Sequence, residues 1–310
     1  AQAILVEIDM ARHITKFARL VPPDGSVSSD GKLVLYGADT PNTWKPAALL
    51  EEMEIPYDVV FVNIMKNEQK QPDYLAMNPN GRTPTLLDRT VCPPFSVFES
   101  GAIMLYVAEK HGTPLLPEKP EPKSEVVQWL MWQMSALGPM VGNCMYMKRI
   151  AAPVQDDVSK VQFGIDRFHN ETVRLLTILE TRLNNRDYLC GPDRGVFTIA
   201  DIACFGYAAQ HFWASVDISD MPFLSAWIAR VGARPSIKSA ATVPGISISE
   251  GFPTFEQIRT DETIQSQLLE SAAKAGRPYF GWKDMQELWG KPAEDAAVPF
   301  ASHVPGSEAK

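Results

Sequence analysis

Cysteine and histidine are scarce in this sequence, and neither occurs in a pattern that binds metals or builds disulfides. The chain of 310 residues has five histidines and four cysteines, at Cys92, Cys144, Cys190 and Cys204. The cysteines are widely separated and form no C-x-x-C pair, and the histidines form no pair at helical spacing. The sequence therefore predicts neither a disulfide framework nor a metal site, and it favours a reducing, cytoplasmic location.

The chain also lacks an excess of positive charge and any long apolar run. Its net charge of −8 argues against a nucleic-acid partner, which requires a basic face. No apolar run approaches the roughly 20 residues that span a bilayer, and residues 1–30 lack the basic segment and apolar core of a signal peptide. Phosphate-binding glycine loops and the G-x-S-x-G motif are absent as well. We therefore expect neither a nucleic-acid nor a membrane partner.

Two regions of different composition form the centre of the chain. Residues 32–113 alternate strand and helix patterns in the order β-α-β-α-β-β-α. After a linker rich in proline and charge, residues 124–240 are helical in pattern throughout. Residues 1–31 are expected to be an N-terminal extension, and residues 241–310 a C-terminal extension that packs on the body. The sequence predicts an α/β domain followed by an all-α domain.

The segment Thr40-Pro41-Asn42 follows a predicted strand and opens a predicted helix. Backbone N–H groups and the positive end of the helix dipole point at whatever lies there. The Thr40 hydroxyl or the Asn42 amide would stabilise a thiolate at this position and lower its pKa from an ordinary value of about 8.5. Taken alone, the segment is equally well explained as a cap that only starts a helix.

A turn at residues 78–81 precedes Thr83 and Pro84 at the start of a predicted strand. Proline in that position is a candidate for a cis peptide bond. A cis bond would leave the Thr83 N–H and carbonyl free to pair with an extended, peptide-like ligand. The alternative is a trans proline at a strand edge.

Glu99 and Ser100 lie at the start of another predicted helix. The helix N-terminus offers N–H groups and a hydroxyl to a carboxylate, and Glu99 can pair with an ammonium. A site that binds both charges suits an amino-acid end such as a γ-glutamyl group. An ordinary acidic first turn is the alternative.

Three further side chains are candidates for a second ligand carboxylate. Gln69 and Arg82 flank the same presumed cleft. Arg167, on a long amphipathic helix, either reaches the cleft or is a solvated surface charge. The segment Thr198-Ile199-Ala200-Asp201 has the capping-box pattern, and we expect it to serve folding rather than chemistry.

Together these segments resemble the cytosolic glutathione transferases, and more closely the nu class and the related nitrogen-regulator (prion-type) class of fungi. The resemblance covers residues 32–239. The segments that carry it are Thr40-Pro41-Asn42, Asn78-Pro79-Asn80-Gly81-Arg82-Thr83-Pro84, Phe98-Glu99-Ser100-Gly101-Ala102-Ile103, Thr198-Ile199-Ala200-Asp201, Gln128-Trp129-Leu130-Met131-Trp132-Gln133 and Leu137-Gly138-Pro139-Met140.

The resemblance implies a thioredoxin-like N-terminal domain, an all-helical C-terminal domain, a homodimer, and glutathione as co-substrate. It also implies roles for individual residues. Thr40 and Asn42 would contact the glutathione sulfur, and Thr83, before a cis Pro84, would pair with the cysteinyl backbone. Glu99 and Ser100 would hold the γ-glutamyl end, Gln69 the glycine end, and Arg167 would contribute from the helical domain.

The expected function is that of a glutathione-dependent enzyme that reduces disulfide bonds, conjugates glutathione to an apolar electrophile, or both. The tyrosine or serine that activates the thiol in other classes has no counterpart, since Tyr36 lies within a predicted strand. Its absence favours thiol–disulfide chemistry. The alternatives are a non-catalytic glutathione-binding regulator and a dedicated lyase or isomerase of one metabolite. The apolar helix at residues 124–149 would line the electrophile pocket.

Overall fold

A computed structural model describes residues 14–21, 33–152, 155–211 and 213–244 of the chain. The predicted C-terminal extension lies outside the described residues from 245 onward, so its packing on the body stays a prediction. Among the described helices, none is both long enough and apolar enough to cross a membrane. Within the same ranges, no group of histidine, cysteine and acidic side chains is arranged to hold a metal ion.

The first domain is built on a mixed sheet of five strands in the order β1-β3-β2-β4-β5. The strands are β1 (Ala18–Val21), β2 (Leu33–Gly37), β3 (Tyr57–Phe61), β4 (Thr85–Asp88) and β5 (Phe95–Phe98). Strand β3 is parallel to both β1 and β2, and β4 is antiparallel to both β2 and β5. From β2 onward this is the predicted β-α-β-α-β-β-α order, and the thioredoxin-like fold is confirmed.

The prediction that residues 1–31 form an N-terminal extension is wrong for residues 18–21, which form strand β1 of the sheet. Residues 18–21 pair with β3 in parallel, with Leu20 opposite Val59, and Leu20 is buried. Asp58, buried on β3, receives a hydrogen bond from Arg19 Nε at 2.9 Å. A run of four residues carries too little periodicity to predict a strand, and its apolar side chains gain their partner only when β3 is in place.

Nine α-helices lie within the described residues. In the first domain they are α1 (Pro41–Glu52), α2 (Pro72–Met77) and α3 (Ser100–His111). In the second domain they are α4 (Pro120–Trp132), α5 (Gly138–Tyr146), α6 (Ser159–Leu183), α7 (Ile199–Ala208), α8 (Pro222–Gly232) and α9 (Pro235–Ala240). The all-α second domain is thereby confirmed.

Helices α4 and α5 are joined by a π-helical turn at Gln133–Leu137, so the chain stays helical across the junction. Pro139 lies two residues after this turn, and proline in a regular α-helix clashes with the carbonyl four residues earlier, which here falls within the turn. The wider turn relieves that clash, and such turns occur frequently at functional sites. It also places the Gln133 side chain, which is fully buried, against helix α1.

The predicted capping box opens α7 in the core of the helical domain. The Asp201 carboxylate accepts from the Thr198 N–H at 3.0 Å. It also accepts from the Leu189 N–H and from Trp227 Nε1, each at 3.0 Å. One buried carboxylate thus joins three segments of the domain, which confirms a role in folding.

The two domains meet closely where α7 passes the start of α1. A Cβ added to Gly206 would lie 3.3 Å from the Pro41 Cβ, a tighter contact than side chains ordinarily make, so the two helices approach most closely with glycine at this position of α7. At the start of α3, a Cβ on Gly101 would lie 3.1 Å from Cγ of Met134, in the π-helical turn. The helical domain therefore covers the N-terminal ends of α1 and α3, where the sequence motifs lie.

Candidate functional site

The sheet topology brings the three predicted ligand-holding segments to one edge. Residue Tyr36, near the end of β2, lies opposite Thr85 at the start of β4. Thr85 in turn lies opposite Phe98, at the end of β5. The segments after β2, before β4 and after β5 therefore emerge side by side. These are the segments that carry residues 40–42, 83–84 and 99–100.

A threonine cap holds the start of helix α1. Thr40 has an extended backbone, and its hydroxyl oxygen accepts from the Thr43 N–H at 3.4 Å. Pro41 occupies the first helical position, where no N–H is needed. The Thr40 side chain is half-buried, so its hydroxyl is both a cap and a group within reach of a ligand at the helix N-terminus.

Asn42, in the first turn of α1, is held from two sides. Its Oδ1 accepts a hydrogen bond from Lys45 Nζ at 2.9 Å, and its side chain contacts the hydroxyl of Tyr207 on α7. Burial raises the pKa of Tyr207 to about 12, against the opposing contact with Asn42, so this hydroxyl stays protonated at neutral pH. Asn42 thus presents an amide of fixed orientation at the boundary between the domains.

The Thr83–Pro84 peptide bond is cis, as the sequence suggested. The turn before it is braced by two side chains that donate to the Arg82 carbonyl, Asn78 Nδ2 at 2.7 Å and the Tyr74 hydroxyl at 2.8 Å. Pro84 is buried, Thr83 is half-buried and the Arg82 side chain is exposed. The backbone of Thr83 is therefore presented from a rigid turn.

Glu99 and Ser100 differ sharply in environment although they are adjacent. Glu99 has a φ of +71°, an uncommon conformation for a residue with a side chain and one that occurs often at binding sites. Its exposed carboxylate accepts from Asn80 Nδ2 at 3.3 Å. Ser100 is buried, and its Oγ lies 3.4 Å from Lys45 Nζ.

The side-chain contacts of the remaining candidates, Gln69 and Arg167, are with residues other than those described above. Gln69 Nε2 donates to the Ile64 carbonyl at 3.4 Å, while its Oε1 is buried with no partner among the described residues. The Arg167 side chain is 59% exposed, and its guanidinium lies 3.9 Å from the Glu171 carboxylate, one helical turn away on α6. The contacts of Arg167 within the described ranges do not join it to the other site residues, and its role stays a prediction.

Sequence reasoning missed a buried lysine at the centre of the site. Lys45 is 2% exposed, and its ammonium lies 2.9 Å from Gln133 Oε1 as well as from Asn42 Oδ1. Burial lowers the pKa of Lys45 to about 7, against the opposing influence of Cys204 and Glu99. The available signal was a lysine one turn after Asn42, which is the one charged residue in the first ten positions of α1.

The fold and the placement of these residues define a thioredoxin-like protein with an all-helical second domain. The family model described as "Glutathione S-transferase, N-terminal domain" matches residues 31–109. The corresponding C-terminal domain model matches residues 165–235. The chain belongs to the glutathione S-transferase family.

Curated relatives and solved structures agree with this placement. The disulfide-bond oxidoreductase YfcG of Escherichia coli is 36% identical over 209 residues, which are 66% of this chain and 93% of the relative. A glutathione transferase from Pseudomonas putida, solved with one glutathione disulfide per subunit, has a TM-score of 0.65 and 29% identity, and covers 72% of this chain and 96% of its own. One from Burkholderia graminis, with two glutathione molecules per subunit, has a TM-score of 0.65 and 32% identity, with coverages of 71% and 92%.

Proposed function

We propose that this protein is a glutathione-dependent disulfide-bond oxidoreductase. The observation that carries the proposal is the pair of neutral donors, Thr40 and Asn42, at the N-terminus of a helix that begins beside the Thr83–Pro84 turn. Such an end favours a thiolate over a thiol. The names and bound molecules of the relatives, a disulfide-bond oxidoreductase and a structure with glutathione disulfide, support the same chemistry.

In this proposal, glutathione lies along the edge where the three segments emerge. Its sulfur receives hydrogen bonds from the Thr40 hydroxyl and the Asn42 amide, and the Thr83 backbone pairs with its cysteinyl group. The γ-glutamyl carboxylate lies at the start of α3 beside Ser100, and the ammonium meets Glu99. Pro84 shapes the turn, while Gln69, Arg82 and Arg167 are candidates for the glycine carboxylate.

The reaction requires two molecules of glutathione. The bound thiolate attacks one sulfur of a disulfide, a mixed disulfide with glutathione forms, and the other sulfur leaves as a thiolate that takes up a proton. A second glutathione thiolate then attacks the glutathione sulfur of the mixed disulfide. This step releases the second thiol of the substrate and glutathione disulfide, so that two electrons pass from the two glutathione molecules to the substrate.

The three buried cysteines do not supply a nucleophile as well suited as glutathione. Burial raises the pKa of Cys144 and Cys204, and it raises that of Cys190 to about 12. All four cysteines are free, which supports the proposal of a reducing, cytoplasmic location. The chain's contribution is to lower the thiol pKa and align the attack.

We further propose that the protein is a homodimer. The edge strand β5 exposes Phe95 and Phe98, by 51% and 40%, and an uncovered apolar edge strand favours association. A cavity of about 480 Å³ also lies between α4 and α6, where Trp129 and Ile178 line its wall. A second copy of the chain, with its own exposed aromatic side chains, would cover both surfaces.

The function is tested by measuring glutathione-dependent turnover of hydroxyethyl disulfide and of a chlorodinitrobenzene, with the parent protein and with Asn42→Ala. We expect disulfide reduction to exceed conjugation, and both to fall in the variant. Turnover that Asn42→Ala leaves unchanged would contradict the position of the sulfur. Conjugation as the dominant activity would assign the site to electrophile chemistry instead.

A further inference from the structure

Lys45 is a buried lysine whose hydrogen-bond acceptors, within the described residues, are all neutral, and with a pKa of about 7 it is protonated in about half of the molecules at neutral pH. Its Nζ donates to Asn42 Oδ1 and Gln133 Oε1, each at 2.9 Å, and lies 3.4 Å from Ser100 Oγ. The ring centroid of Tyr207 lies 5.2 Å from the same atom. Burial of an ammonium without an anion costs free energy of folding, and an apolar side chain of similar length would avoid that cost. The position therefore calls for a reason beyond packing.

The ammonium fixes which way the Asn42 amide faces. In its protonated form, Lys45 has three N–H donors and no acceptor, so the group that meets it must be the amide oxygen. The Asn42 NH₂ group then points away from Lys45. The Tyr207 hydroxyl, which also contacts the Asn42 side chain, can donate or accept and does not by itself select between the two orientations of the amide, which are related by rotation about the last side-chain bond. Only one of them offers an N–H to a ligand on the outer side.

The same ammonium also determines the orientation of Gln133 in the helical domain. Its Oε1 faces Lys45, and its Nε2 is buried with no partner among the described residues. A Cβ on Gly138 would lie 2.6 Å from that Nε2. The amide is therefore tightly confined, and its NH₂ group is unpaired among the described residues. The contact of its Oε1 with Lys45 is the polar contact that holds this side chain within those residues.

We infer that Lys45 is a positioning residue of the sulfur site, which acts by holding the Asn42 amide with its N–H groups toward the glutathione sulfur. The inference rests on the proposed function, since it concerns the same thiolate. In this inference, Lys45 acts on the glutathione thiol through Asn42 rather than by contact with glutathione. Because Gln133 holds Lys45 from the helical domain, that domain also contributes to the pKa of the bound thiol.

The titratable groups that face Lys45 are few. Glu99 precedes α3, and Cys204 and Tyr207 lie on α7. Burial raises the pKa of both α7 groups, so they are neutral at pH 7. Glu99 is exposed. A glutathione thiolate would therefore be the main new anion to enter the surroundings of Lys45.

The test is the apparent pKa of bound glutathione, measured by the ultraviolet absorbance of the thiolate in the parent, Lys45→Met, Asn42→Ala and the double variant. We expect Lys45→Met to raise that pKa by about one unit or more when Asn42 is present. In the Asn42→Ala background we expect less than half of that shift. Equal shifts in the two backgrounds, or no shift at all, would overturn the inference.

Two further variants separate positioning from a general effect of removing a buried charge. Lys148→Met removes another buried lysine, 4% exposed, whose ammonium contacts His169 Nδ1 at 2.8 Å; we expect it to leave the bound thiol pKa unchanged. Lys45→Gln keeps an N–H donor without the charge, and we expect it to restore most of the parent value. If Lys45→Gln raises the pKa of the bound thiol as much as Lys45→Met does, positioning is contradicted.

If the methionine variant does not fold, as judged by its denaturant unfolding curve, Lys45→Ala replaces it in both backgrounds, since it also removes the N–H donor. The same criteria then apply: a rise with Asn42 present that is at least halved in Asn42→Ala supports positioning, and equal shifts or no shift overturn it. Failure of the proposed function has a different signature. The parent protein would then bind no glutathione at millimolar concentration by calorimetry, whereas failure of this inference alone leaves binding intact and the thiol pKa insensitive to Lys45.

Discussion

The Lys45 ammonium and the Gln133 amide oxygen lie 2.9 Å apart although they belong to different domains and are 88 residues apart in sequence. Through this contact, the start of α1 and the π-helical turn of the second domain share one buried polar cluster. Asn42 and Ser100 belong to the same cluster. The site is consequently a property of the domain pair rather than of the thioredoxin-like domain alone.

Substitution of Thr40 should separate its two roles. Thr40→Val keeps the shape of the side chain but removes the hydroxyl, so we expect the free energy of unfolding to fall by about 1 kcal/mol, the usual value of a helix cap. Disulfide turnover should fall as well, because a donor to the sulfur is lost. Thr40→Ser should preserve both. A valine variant with lower stability but parent-like turnover would show that Thr40 is only a cap.

Glu99→Gln should weaken the binding of glutathione through its γ-glutamyl ammonium. Since hydrogen bonds to charged groups contribute about 1.5–3 kcal/mol, we expect the KM for glutathione to rise about tenfold. The matched comparison is cysteinylglycine, which lacks the γ-glutamyl group and should respond little. If the two thiols lose activity by the same factor, Glu99 does not recognise that group.

The order of the elements was predictable, because each strand and helix from residue 33 onward carries its own local pattern. The capping box of α7 was predictable for the same reason, since its signal lies within four residues. The turn before Pro84 made a cis bond a candidate, but the local sequence left a trans proline as the alternative. Lys45 and Gln133 were not predictable, because each reads as an ordinary polar residue on its own helix. Their role depends on a contact that forms only when the two domains pack together. Local sequence patterns do not predict such a contact.

Stability in acid should depend on Asp88, which is buried at the end of β4. Burial alone would raise its pKa, but hydrogen bonds from Lys110, Thr90 and Tyr106 outweigh this and lower the pKa to about 2. A folded-state pKa below the unfolded value stabilises the protein above pH 4, and this contribution is lost as the pH falls from about 4 to about 2.

The expected contribution of Asp88 is roughly 1–2 kcal/mol in the free energy of unfolding. Asp88→Asn should therefore flatten the acid limb of the stability curve, measured by denaturant unfolding across that pH range. The exposed Asp217, which accepts from the Ser219 N–H at 2.9 Å, provides the control substitution Asp217→Asn. Parallel acid limbs for the parent and Asp88→Asn would contradict the assignment.

The proposed homodimer predicts that a charge on strand β5 dissociates the protein. Phe95→Lys places an ammonium on the exposed edge, and we expect light scattering to report a mass near that of one chain. Phe163, which is 82% exposed on α6, offers the comparison Phe163→Lys, for which we expect the dimer to persist. Dissociation by Phe163→Lys alone would place the interface at the start of α6, away from the β5 edge and from the cavity beside Trp129 and Ile178.

The most direct test of the sulfur site is the pKa of the glutathione thiol in the complex, followed by thiolate absorbance in the parent and in Asn42→Ala. With Thr40, Asn42 and the start of α1 at the sulfur, the bound thiol should titrate at least about one unit below the ordinary value of about 8.5. The variant should recover a large part of that difference. A bound thiol that titrates like free glutathione in the parent protein would contradict the proposed site and, with it, the proposed reaction.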